Sequence, residues 1–147
     1  MDQISDGATE TGRVLGLDLG DVRIGVAISD PDRRLAVPLG TVQVGRPPGE
    51  LKAIADLVRE NDVTLVVVGH PVSLSGEAGP RARHTEALVA ALTSSLTVAV
   101  EMQDERFSTV EAERSLRRAG ARGRDLRRSV DQTAATVILQ AWLDANP

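Results

Sequence analysis

Three acidic residues fall where chemistry could use them: Asp18 at the end of an apolar run, Glu105 within the stretch DERFST, and Asp131 in the expected first turn of a final amphipathic helix. Carboxylates gathered within a few ångströms repel one another unless a positive charge sits between them, and a divalent metal is the usual one. An all-oxygen donor set suits Mg²⁺ or Mn²⁺. A pair of such ions can activate a water and hold the leaving oxygen in an in-line phosphodiester displacement. Flanking arginines would position the substrate backbone. That chemistry requires the fold to gather residues that are far apart along the chain.

The elements that would do so are readable. In RVLGLDLGDVRIGVAISD, residues 13–30, an apolar run delivers Asp18, a Gly-Asp turn follows, and a second β-rich run spans Ile24 to Ile28. A third strand is expected from Leu35 to Val44; Pro38 cannot donate to a ladder, which assigns that strand to a sheet edge. Leu51, Ile54, Ala55 and Val58 recur at helical spacing. The run Thr64 to Gly69 lacks polar alternation, as in a strand buried on both faces. A loop from His70 to Pro80, a helix from Arg81 to Ser95 and a last strand from Leu96 to Met102 complete the sheet. Ser108 with Glu111, and Ser129 with Gln132, read as capping boxes of two closing helices, the first ended by Gly120.

The order βββ, α, β, α, β, α, α with right-handed crossovers predicts an α/β fold. Its mixed five-stranded sheet has three antiparallel strands, then two parallel ones, with helices on both faces. The strands carrying Asp18, Gly69 and Asp104-Glu105 then run parallel and end at one carboxyl edge, where open α/β sheets bind ligands.

Each candidate has a structural alternative. Asp18 could cap a turn, Asp131 could answer the helix dipole, and Asp104 or Glu105 could pair with Arg106. Ser108 and Thr109 are accounted for by the cap. His70 follows a strand end, where it could touch substrate or serve structure, and His84 reads as a surface residue. Coincidence of placement, rather than any one residue, carries the functional reading.

Composition narrows the classes. A chain of 147 residues fits one domain able to bury roughly 70% of its unfolded surface. The polar, net negative residues 1–12 read as a disordered tail, and residues 13–147 as a single domain. With no cysteine, disulfides and thiolate metal sites are excluded. The tail lacks the basic start and apolar run of a signal peptide. No apolar run approaches the roughly 20 residues of a membrane span, so a cytoplasmic protein is expected. The net charge of -4 is unevenly spread: between Arg106 and Arg128 there are eight arginines against Glu111, Glu113 and Asp125. This local basic patch, with Arg117 and Arg118 at its centre, reads either as a nucleic-acid contact or as a solvated face. Phe107 and Trp142 are the only aromatics, which disfavours a single-strand binder that stacks bases.

The chain resembles the YqgF family, also called RuvX, of the ribonuclease H-like superfold. GLDLGDVRIGVAISD is similar to the family's opening GxDxGxxRxGxA block, VVVGHP to its VxGxP, DERFST to its DERxST, and VDQTAATVILQAWL to its closing DxxAAxxILxxxL. The resemblance implies a nuclease, either a Holliday junction resolvase or a processor of the 5′ end of pre-16S ribosomal RNA. It further implies that Asp18, Glu105 and Asp131 bind the metal, with Arg23 and Arg106 as substrate or scaffold cations. His70 stands where the family often has an apolar residue, and Ser75 precedes Gly76 where an acid is common.

Two other classes compete. The opening hairpin also resembles the phosphate-binding hairpin of actin-like ATPases, but Asp21 adds negative charge where a hydroxyl usually follows the glycine, and such enzymes need two domains. A non-catalytic ribosome-assembly factor gripping RNA through the arginine patch would show salt-sensitive binding without hydrolysis. A resolvase would favour a symmetric homodimer.

Overall fold

The computed structural model describes residues 12–20, 22–44, 49–71, 79–104 and 123–147, the side chains of residues 123–133 excepted. Its elements are β1 (Arg13–Leu19), β2 (Arg23–Ser29), β3 (Ala36–Gln43), α1 (Gly49–Glu60), β4 (Val63–His70), α2 (Pro80–Ser95), β5 (Ala99–Asp104) and α3 (Gly123–Ala145). The strands form one sheet in the order β3-β2-β1-β4-β5. β1, β2 and β3 pair antiparallel, whereas β4 runs parallel to both β1 and β5. This is the expected mixed sheet. Pro38 lies on edge strand β3, where the register shifts so that Val26 faces Gly40 and Ala27 faces Pro38; at an edge, the missing N–H interrupts no central ladder.

Side-chain alternation divides the core in two. Leu15, Leu17 and Leu19 of β1 join Val66 and Val68 of β4 against Ile54 of α1 and Leu88 and Leu92 of α2. On the opposite face Val14 and Val67 pack against Ala135, Ile138, Leu139 and Trp142 of α3. Gly16 sits beneath that helix. A Cβ there would fall 2.8 Å from Leu139 Cβ and 3.4 Å from the Ala135 carbonyl oxygen, so the bare backbone is what lets α3 seat this deeply.

Polar ties fix how α3 lies. Gln140 Oε1 accepts the Ala36 N–H at 2.8 Å, and Gln140 Nε2 donates to the Arg34 carbonyl at 3.0 Å. Ala36 pairs with Ser29, whose hydroxyl accepts the N–H of Val14 near the start of β1. Gln140 therefore marks the amino edge of the central strand, and the helix runs from there back past Gly16 toward the carboxyl edge. Trp142 Nε1 donates to Glu101 of β5 at 3.1 Å, tying the same helix to the far strand.

Two boundaries differ from expectation. The final helix opens at Gly123, not at Ser129, so the Ser129/Gln132 pair lies within it and Asp131 is its ninth residue. A carboxylate two turns in is beyond the reach of the helix dipole, which removes that alternative for Asp131. The last strand runs Ala99–Asp104, later than Leu96–Met102. Leu96 instead caps α2 through its N–H to the Leu92 carbonyl and packs against the first core. The helix expected from Ser108 to Gly120, the Ser75-Gly76 departure and residues 1–11 of the expected tail lie outside the described residues.

At the amino edge, Asp30 Oδ1 accepts the N–H groups of Arg34 and Leu35 at 2.8 and 2.9 Å. Those bonds, Leu35's first and then Arg34's, hold its carboxyl below the ordinary aspartate value of 3.8. A folded-state value below the unfolded one contributes stability that is complete above the unfolded pKa and is lost as pH falls through the folded one. Asp30→Asn is therefore expected to lower the melting temperature at neutrality, where the ionised carboxylate contributes in full, and to flatten its further fall on acidification below about pH 4.

Candidate active site

β1 ends by presenting Asp18 and Leu19 at the carboxyl edge. Asp18 pairs with Gly25 of β2, is half-buried, and by alternation shares the α3 face with Val14 and Gly16. The chain turns back sharply: Gly20 N–H donates to the Arg23 carbonyl at 3.0 Å. A Cβ on Gly20 would meet that same oxygen at 2.7 Å, so glycine is needed for the turn. Arg23, half-buried, opens β2 at this edge beside the turn.

Parallel pairing carries the edge across the sheet. Leu17 pairs with Val68, which continues to Asp18 level with Gly69; Gly69 pairs with Gln103 and His70 with Asp104. Asp104 is thus the last residue of β5 at the same edge. Glu105 follows it immediately and lies outside the described residues, as do Arg106, Arg117 and Arg118. Asp131 is part of the described backbone of α3, one turn before Ala135, while its side chain lies outside the described set. Among the described residues no three acidic, histidine or cysteine side chains gather in a way that could hold a metal; two of the three expected ligands are not in that set.

The opposite face of the edge holds contacts that sequence reasoning missed. His70 Nε2 lies 2.7 Å from Glu86 Oε2 of α2, with the imidazole 18% exposed and the carboxylate 42%. His70 thus has a partner on the face away from Asp18. Arg81, in the first turn of α2, donates through Nη2 to the Leu19 carbonyl at 3.1 Å. Both contacts join residues 16 or more positions apart, and no local spacing announces them. His84 is exposed on α2, as expected.

A family model described as "RuvX: Holliday junction resolvase" matches residues 12–145. A protein of Chloroflexus aggregans named "Putative pre-16S rRNA nuclease" is 46% identical over 132 residues, covering 90% of this chain and 93% of its own. A Mycobacterium leprae protein of the same name is 48% identical over 136 residues, 92% of this chain and 74% of its own. Among solved structures, Thermus thermophilus RuvC in complex with Holliday junction substrate superposes with a TM-score of 0.55 at 14% identity, over 92% of this chain and 98% of that one. The fowlpox virus resolvase bound to Holliday junction DNA gives 0.51 at 7% identity, over 90% and 97%. At such identities the structural likeness shows the fold alone.

Proposed function

The chain belongs to the RuvX family, with a resolvase-like fold of the ribonuclease H type, and on that premise we propose that it is a divalent-metal-dependent nuclease of structured nucleic acid. Precursor 16S ribosomal RNA, cut toward its 5′ end in the cytoplasm, is the preferred substrate. The relatives named for that RNA are identical to this chain at nearly half of the aligned residues. Among the described residues no helix is long and apolar enough to cross a membrane.

The contact at Gly16 carries the proposal. Ala135 and Leu139 meet the sheet there, and α3 runs from that point toward the carboxyl edge. Asp18 lies two strand residues beyond Gly16, an advance of about 6.6 Å. Asp131 lies one helical turn before Ala135, about 6 Å the same way. Glu105 follows the last residue of β5 at that edge. These matched advances support a cluster of Asp18, Glu105 and Asp131.

The donor chemistry fits a hard cation: the candidates are all carboxylates, and Asp18 is only half-buried at an open sheet edge. When bound, Mg²⁺ or Mn²⁺ would supply an activated water and stabilise charge on the leaving oxygen. The chain's own residues do the rest. The three carboxylates orient the centre, while Arg23, Arg106, Arg117 and Arg118 hold backbone phosphates on either side of the cut.

The test is to incubate the full chain with a precursor 16S 5′-end transcript and with a four-way DNA junction, in Mg²⁺, Mn²⁺ or chelator. Metal-dependent cleavage of the transcript in preference to the junction is expected. Tight, salt-sensitive binding with no cleavage at any metal concentration would instead identify a non-catalytic assembly factor.

A further inference from the structure

We infer that Gln103 reads the sugar of the strand being cut: its carboxamide exchanges a hydrogen bond with a ribose 2′-hydroxyl beside the scissile phosphate, which favours RNA over DNA. The inference deepens the nuclease reading and rests on it.

The register of the sheet places this side chain. Asp18 pairs with Gly25 of β2 on one side and stands level with Gly69 of β4 on the other, and Gly69 pairs with Gln103 of β5. Glu101, two residues before Gln103, meets Trp142 of α3, so by alternation Gln103 lies on the α3 face, as Asp18 does. The row at the carboxyl edge therefore runs Gly25, Asp18, Gly69, Gln103: a carboxylate and a carboxamide separated by a position with no side chain. With strands about 4.8 Å apart, the two backbones stand about 10 Å from each other. Bare Gly69 leaves a trough between them that admits a sugar-phosphate backbone. Glu105, a proposed metal ligand, is two residues further along the chain from Gln103.

Residue type decides what Gln103 would bind. The proposed centre and its flanks use full charges, carboxylates for the metal and arginines for phosphates. A carboxamide is neutral and both donates and accepts. A phosphate oxygen only accepts, whereas a 2′-hydroxyl does both and is the group that tells RNA from DNA. Gln103 is half-buried on an edge strand where its neighbours Met102 and Asp104 are exposed, and among the described residues its side chain has no hydrogen-bond partner. Polar groups withdrawn from water are ordinarily paired, and a bound ribose supplies the pair. Glu101 is the control. It occupies the same strand and face, but its carboxylate already accepts from Trp142 Nε1 at 3.1 Å.

The precursor 16S 5′-end transcript is cut in Mn²⁺ to map the scissile bond and is then remade with a single 2′-deoxynucleotide on either side of it. Values of kcat/KM are compared in a cycle with Gln103→Met, which keeps the length of the side chain and removes both hydrogen-bonding ends. In the parent chain one of the two deoxy substitutions is expected to lower kcat/KM about fivefold, the worth of one hydrogen bond between neutral groups. Gln103→Met should show that loss on the all-ribose transcript and no further loss on the deoxy one. Glu101→Gln, which leaves Trp142 an acceptor, should keep the parent's sensitivity. No penalty at either nucleotide in the parent, an undiminished penalty in Gln103→Met, or its disappearance in Glu101→Gln overturns the inference. Should the parent leave the transcript uncut, the nuclease reading fails for this RNA, and the cycle is run on affinity in metal-free buffer with the transcript and its all-deoxy counterpart. An equal preference for ribose in parent and Gln103→Met then overturns the role of Gln103, whereas a preference lost in the variant upholds it.

Discussion

Asp18→Asn is expected to fold and melt like the parent chain in metal-free buffer and to lose cleavage by about 10³-fold or more. The substitution keeps volume and shape at a half-buried strand position whose backbone pairs with Gly25, so neither packing nor the ladder is disturbed. What it removes is one formal charge from the proposed metal cluster. Metal activation of water and leaving oxygen is worth several kcal/mol of barrier, and ~4 kcal/mol corresponds to that thousandfold loss. A second readout separates lost chemistry from lost folding. A metal that binds the native state alone raises stability by about 2.7 kcal/mol at a concentration one hundred times its dissociation constant. Mn²⁺ should therefore raise the melting temperature of the parent chain and do so far less for Asp18→Asn. A variant that still cuts, or that keeps the full Mn²⁺ shift, would remove Asp18 from the metal site.

How far the fold was legible depended on where hydrophobicity does the work. The β1–β2 hairpin, the buried β4 and the Arg81 to Ser95 helix were read nearly to the residue, because glycine-bounded apolar runs and helical spacing reflect burial directly. β5 begins at Ala99, three residues later than its apolar pattern suggests, for the converse reason. It is an edge strand whose residues are mostly exposed, whereas the apolar Leu96 and Val98 before it pack on the core from outside the ladder. The start of α3 is hidden in the sequence because Ser129 and Gln132 imitate a capping box inside a helix already under way; the basic residues before them carry no apolar stripe to reveal it.

For the site, type and order along the chain nominate Asp18 only together with Glu105 and Asp131, since an Asp at a strand end is equally at home capping a turn. The ties of Arg81 to the Leu19 carbonyl and of His70 to Glu86 were not legible. They depend on how α2 lies across the strand ends, which is a matter of tertiary packing and leaves no period in the sequence. The sequence leaves His70 open to either a substrate or a structural role, and its contact with Glu86 supplies a structural one.

Gly16→Ala is the substitution expected to separate stability from catalysis most clearly. The added Cβ would sit 2.8 Å from Leu139 Cβ, and reaching an ordinary contact of 3.4–4 Å requires α3 to retreat by about 1 Å. Overpacking of this kind costs about 1–3 kcal/mol, read as a lower midpoint in urea. The same retreat would carry the turn bearing Asp131 away from the carboxyl end of β1, and a 1 Å misplacement can cost about 10² in rate. The variant, assayed at a temperature where it remains folded, is therefore expected to bind nucleic acid with unchanged affinity and to cut it about a hundredfold more slowly. Leu139→Ala should not rescue it, because the close atom is the Cβ that alanine retains, and the Ala135 carbonyl oxygen also stands 3.4 Å from the added carbon. Full cleavage by folded Gly16→Ala would mean that the seating of α3 does not set the chemistry, and Asp131 would then have no claim to the metal.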